Sequence, residues 1–235
     1  GVAGILLLYL ATRVIIRQSC LDWFCSIEQN NQNALKVVLI TTALLLIGTG
    51  STLVYSYLLV MRPSGTKLLD GINWHFSNER IGPAGMIWRG IATYLVCVCL
   101  VLACVPIGML IGQGESSNPI LSIIDMVAHS GDVFAIISLY LTIAIIGPFI
   151  EEAFVRGFLY SFLRQRLGIL SSIVLSSLFF ALYHFDFSGF FQLALLGAAF
   201  AYATEQSKSI VPGFIAHGLW NATLLTSTLL FIKDY

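Results

Sequence analysis

Residues 141–160 read LTIAIIGPFIEEAFVRGFLY, and the fold turns on how this stretch is understood. Apolar residues run from Ile143 to Ile150, then come Glu151, Glu152 and Arg156, and apolar residues resume from Phe158 to Leu163. If a helix ended at the glutamates, they would be interfacial end groups. If it continues to about Leu163, they lie inside a hydrocarbon layer. There an ionisable side chain costs on the order of a few kcal/mol and generally has a function. The apolar flanks favour continuity, so Gly147-Pro148 is expected to kink the helix without ending it. Glu152 and Arg156 are four residues apart and share a helix face, so they can pair. That pairing leaves Glu151 with a different task.

The rest of the chain has the same character. Of 235 residues, 57% are hydrophobic and only 10% are charged. A soluble domain carries about 25% charged residues, so this chain cannot coat a water-facing surface. Seven apolar segments stand out, at about 1–16, 35–60, 86–112, 133–163, 169–187, 189–204 and 209–231. The expected architecture is all-α, a polytopic transmembrane bundle of about seven or eight helices. Residues 1–130 form N-terminal helices and loops without a clear motif, and residues 131–235 form the functional core of one integral membrane unit. The fifth and sixth segments are separated only by Asp186 to Gly189 and make a tight hairpin. The connectors 17–34, 61–85 and 113–131 read as loops.

Charge sets the orientation. Arg62, Lys67 and Arg80, then Arg164 and Arg166, then Lys208 fall on loops of one side, whereas loop 113–131 has no Lys or Arg. Basic loops stay in the cytoplasm, so this side is expected to be cytoplasmic and the membrane to be the plasma membrane. The other side has Arg17, with Arg13 just inside the first segment, and Lys36 and Lys233. A formal net charge of zero gives no sign of a nucleic-acid partner. The expected partners are membrane lipid and a peptide or lipidated protein, and the sequence leaves the oligomeric state open.

Two more polar constellations sit in apolar segments. Phe180 and His184 are four apart late in the fifth segment, and His217 and Asn221 share one face of the seventh. Singly, each is as readily an interfacial residue or a helix–helix hydrogen bond. Together they place a carboxylate pair, a histidine and a His/Asn face on three helices. Amide hydrolysis needs a base that activates water and donors for the oxyanion that forms. Glu151 and His184 can serve the first need, and His217 and Asn221 the second.

Read in order, Glu151-Glu152-xxx-Arg156, Phe180-xxx-His184 and His217-xxx-Asn221 resemble the motif set of the CAAX-processing and bacteriocin-processing (CPBP) intramembrane proteases, the family of the type II CAAX prenyl endopeptidases. The resemblance covers about residues 130–231. It implies a helical bundle around an intramembrane cavity and a glutamate-dependent endopeptidase. In that scheme Glu151 and His184 activate water, His217 and Asn221 form the oxyanion hole, and Glu152, Arg156 and Phe180 support the site. No cofactor is expected. Zinc held by His184, His217 and Glu151 is the minor alternative, disfavoured by the lack of an HExxH motif. Two other readings stand beside the peptidase: a non-catalytic binding, immunity or scaffold protein of the same family, and a proton-coupled transporter using Glu151, Glu152 and Arg156 as a path.

Overall fold

A computed structural model of the chain describes residues 2–27, 33–111 and 120–232. Among them are nine helices and no strand: α1 (Val2–Ile27), α2 (Ala34–Ser64), α3 (Leu68–Gly71), α4 (Pro83–Ile111), α5 (Ile120–Ser130), α6 (Val133–Arg164), α7 (Ile169–Leu182), α8 (Phe190–Ser207) and α9 (Val211–Ile232). All seven apolar segments are helical. Four of them, α2, α4, α6 and α9, are long and apolar enough to cross a membrane, which makes the chain a multi-pass membrane protein. The apolar part of α1 and the whole of α7 are shorter.

α1 runs on to Ile27, through much of the connector 17–34 that was expected to be a loop, and two further helices lie where loops were expected. α3 is a single turn within 61–85. α5 falls within 113–131 and buries Ile123, Ile124, Val127 and Ala128. These positions follow helical spacing. Ile123, Ile124 and Val127 join Val37, Val38, Leu139 and Leu225 in a second apolar cluster beside the main core.

α6 settles the continuity of residues 141–160. It runs unbroken over 32 residues, about 48 Å at 1.5 Å per residue. Asp132 starts it by accepting hydrogen bonds from the backbone N–H groups of Phe134 and Ala135. Gly147-Pro148 does not end it. Instead, residues Leu141–Ile146 widen into a π-helical turn, in which the Gly147 N–H bonds to the Thr142 carbonyl five residues back. A second π-helical stretch covers Ala153–Tyr160. Such bulges absorb a disrupted ladder without breaking the helix, and they recur at functional sites.

The main core is aromatic and involves both halves of the chain. Tyr9 of α1 stacks on Phe154 of α6 at 4.2 Å and meets Tyr183, just past α7, edge-on at 5.1 Å. α4 and α9 touch closely at Gly90, where an added Cβ would lie 2.6 Å from the Ile215 side chain.

The loops singled out for their positive charge gather at one end of the bundle. Asn73 donates to the Ser161 hydroxyl at 3.0 Å, Asn78 to the Ser207 carbonyl at 2.7 Å, and Ser209 to the His75 carbonyl at 2.6 Å. There the buried Glu205 carboxylate accepts from Tyr160 and from Lys208, each at 2.7 Å, with Arg164 3.4 Å away.

Candidate active site

The carboxylates of Glu151 and Glu152 point to different surroundings. Glu152 is fully buried. Its Oε1 accepts from Arg156 Nη1 at 2.8 Å and from His217 Nδ1 at 3.1 Å. Arg156, also fully buried, passes a second N–H to the Gly197 carbonyl of α8 at 3.0 Å. Its guanidinium carbon stands 4.3 Å from the centre of the Phe180 ring. The Glu152/Arg156 pair thus ties α6 to α8 and α9, with each charge compensated in a dry place.

Glu151 faces the cavity. Tyr183 donates its hydroxyl to Glu151 Oε2 at 2.9 Å. The Nε2 atoms of His184 and His217 both stand 3.8 Å from that same oxygen. This separation is too long for a direct hydrogen bond and short enough for one water to touch carboxylate and imidazole together.

Ring orientation follows from what lies behind each histidine. His184 Nδ1 meets the Phe180 carbonyl at 2.7 Å, and His217 Nδ1 meets the Glu152 carboxylate. A carbonyl and a carboxylate only accept, so each ring carries its hydrogen on Nδ1 and turns Nε2 toward Glu151. Phe180 explains its own spacing to His184. Its carbonyl anchors the imidazole, and its ring packs on His184 at 4.7 Å and on His217 at 5.6 Å. Phe200 stacks on the His217 ring at 5.1 Å.

Asn221 lines the same cavity. Its Nδ2 donates to the Ile143 carbonyl at 2.9 Å. In a π-helical register the partner of that carbonyl would be the N–H of residue 148, and residue 148 is proline. One hydrogen of the Asn221 amide therefore completes the backbone of α6, and the other is left for the cavity.

The structure brings Glu151, His184, His217 and Asn221 to one cavity of about 590 Å³, with Phe180 in its wall. Glu152 and Arg156 stand directly behind His217 and Phe180. Its lining also includes an apolar group, Ile120, Leu121, Ile123 and Ile124 of α5 with Leu224 and Leu225 of α9.

Three site residues escaped the sequence reading. Arg13, read from the sequence only as a charge just inside the first segment, donates from Nη2 to Glu151 Oε1 at 2.9 Å. Tyr183 was passed over in favour of its neighbour His184. Tyr9 was one apolar position among many. The available signal was the spacing of Tyr9 and Arg13, four apart in an otherwise apolar segment.

Among the described residues, no three His, Cys, Asp or Glu side chains are grouped so as to hold a metal ion. The donor set fits zinc poorly, because both oxygens of Glu151 are already engaged, one by Arg13 and one by Tyr183.

Residues 133–223 match the family model described as Type II CAAX prenyl endopeptidase Rce1-like, a protease family. The matched stretch runs from the start of α6 to Thr223 in α9, so it carries Glu151, Glu152, Arg156, Phe180, His184, His217 and Asn221. No curated protein and no solved structure matches the chain at a significant level.

Proposed function

We propose, from the Rce1-like character of residues 133–223, that this protein is an intramembrane endopeptidase acting on membrane-associated, prenylated CAAX-type proteins or peptides. The observation that carries the reading is the placement of two imidazole Nε2 atoms at 3.8 Å from one oxygen of Glu151, each ring fixed from behind. A water held between Glu151 Oε2 and His184 Nε2 adds to the scissile carbonyl carbon. Glu151 takes one of its protons. The oxyanion draws on the second amide hydrogen of Asn221, and on His217 when Nε2 also carries a proton. When the C–N bond breaks, the proton held by Glu151 passes to the leaving amine. Atoms balance, with one water added across one amide.

The apolar part of the cavity lining supports a lipidated substrate, because Ile123, Ile124, Leu224 and Leu225 offer a hydrocarbon chain contact in the same cavity as the polar groups. The basic loops at one end of the bundle support a cytoplasmic orientation for that end, and the plasma membrane is the proposed location.

The test uses the full chain reconstituted in liposomes with a farnesylated peptide ending in a CAAX sequence, products being weighed by mass spectrometry. Wild-type protein cuts the peptide, and Glu151→Gln and Glu151→Ala do not while remaining folded and inserted. Undiminished cleavage by both variants removes Glu151 as the base. Absence of cleavage by the wild type, over prenylated and unmodified peptides alike, favours a non-catalytic member.

A further inference from the structure

We infer that Arg13 of α1 is a positioning residue for Glu151, so that the peptidase site is completed by a helix outside the matched stretch 133–223. The inference rests on the peptidase reading above and adds a group that reading does not contain.

The geometry is built from several sides. Arg13 Nη2 holds Glu151 Oε1 at 2.9 Å, and its guanidinium carbon lies 4.7 Å from the centre of the Tyr183 ring. One turn earlier on α1, Tyr9 is fully buried between Phe154 and Tyr183. That contact fixes the depth and rotation of α1, and thereby the place of Arg13. Tyr183 closes the arrangement, since it packs on Arg13 and also donates to Glu151 Oε2.

This division of the carboxylate has a chemical consequence. A free glutamate side chain turns about its last bond and offers either oxygen. With Oε1 held by Arg13, only Oε2 is presented to the histidines. The charges are also divided in pairs. Arg156 balances Glu152 and Arg13 balances Glu151. Without Arg13 the second carboxylate would stand in a low-dielectric cavity with no cation of its own. An arginine suits the role because its planar fork holds a carboxylate in a fixed direction.

Arg13 also lines the cavity, so two other roles compete: a contact to the substrate, and a latch that masks the base. The kinetics separate them. Full-length Arg13→Gln, Arg13→Ala and Arg13→Lys are reconstituted beside Glu151→Gln and assayed on the farnesylated CAAX peptide. A positioning role lowers kcat about a hundredfold in Arg13→Gln with KM nearly unchanged, the scale of a misplaced catalytic group. Arg13→Lys, which keeps a cation within reach, retains more kcat than Arg13→Gln. Guanidinium ion added in solution restores part of kcat to Arg13→Ala and none to Glu151→Gln. A purely structural defect would not respond to guanidinium. A rise in KM alone, a rise in kcat, or equal kcat in wild type and Arg13→Gln overturns the inference. If Glu151→Gln itself keeps full activity, it is the peptidase reading that fails.

Discussion

Asn221 of α9 donates a side-chain hydrogen bond to the backbone carbonyl of Ile143 in α6 at 2.9 Å. It stands in for the N–H that Pro148 lacks. The helix–helix hydrogen bond that stood as the alternative reading of Asn221 is therefore present, and it completes the backbone of the helix that carries Glu151. Asn221→Ala should therefore cost stability, about 1–3 kcal/mol for a buried acceptor left unpaired, along with a fall in kcat of about a hundredfold or more for a lost oxyanion donor. Pro148→Ala returns an N–H to position 148. In that background the stability cost of Asn221→Ala should shrink, with a coupling of about 0.5–3 kcal/mol in a double-mutant cycle followed by thermal unfolding in detergent. Simple additivity would show that the two residues act independently.

Glu152 and Arg156 should behave unlike Glu151. Both are fully buried, so Glu152→Ala leaves an uncompensated guanidinium in the core. A loss of about 3–5 kcal/mol is expected from breaking such a pair on one side, seen as a large drop in unfolding temperature. Glu151→Gln should cost less than Glu152→Ala, because the amide oxygen still accepts from Arg13, whose side chain keeps some exposure. Equal destabilisation by the two would erase the distinction between a supporting and a reacting carboxylate.

Gly218 lies between His217 and Asn221, against α6. A Cβ added there would stand 2.5 Å from the Ala144 carbonyl oxygen, a backbone atom with little room to move. Gly218→Ala should push α9 away from α6. The expected cost is about 1–3 kcal/mol of stability, with activity down about a hundredfold because two site residues move together. Unaltered turnover would mean that the α6–α9 spacing tolerates more than the geometry implies.

Glu205 gives a prediction away from the four long spans. Burial pushes its carboxyl up, but the hydrogen bonds from Lys208 and Tyr160 and the charges of Lys208 and Arg164 outweigh it, and the net shift is downward. A carboxyl whose folded value is depressed stabilises the protein above the ordinary glutamate range of about 4.3. That contribution is lost as pH falls through the lower folded value. Glu205→Gln should therefore flatten the acid side of the stability profile, measured as unfolding temperature against pH, and leave its neutral region parallel to wild type. An unchanged acid side would assign the acid sensitivity to other groups.

Much of this molecule was legible in its residues, for identifiable reasons. Apolar run length marked the seven segments, and the apolar flanks of Glu151 to Arg156 gave the continuity of α6 through Gly147-Pro148. α5 was missed although Ile120, Ile123, Ile124 and Val127 carry its period, because 11 residues are too few to span a bilayer and span length was the criterion. For the same reason, crossing is shown for four helices where seven apolar segments were marked. The pairing of Arg13 with Glu151 links positions 138 apart. Beyond the four-residue spacing of Tyr9 and Arg13 nothing local announces such a contact, and an arginine just inside an apolar segment reads only as a charge that helps set orientation. The bond from Asn221 to Ile143 depends on a π-helical register, which is a product of packing around Pro148 and has no sequence periodicity of its own.

The separation of Arg13 from Glu151 has a consequence for biogenesis. α1 leaves the ribosome 138 residues ahead of its partner carboxylate, an interval of about ten seconds or more at ordinary elongation rates. During that time Arg13, still without its carboxylate, must reach toward the lipid headgroups or a water-filled insertion channel. α1 can take its final depth only after α6 has arrived, so the insertion of this helix has a provisional step that a later segment makes permanent.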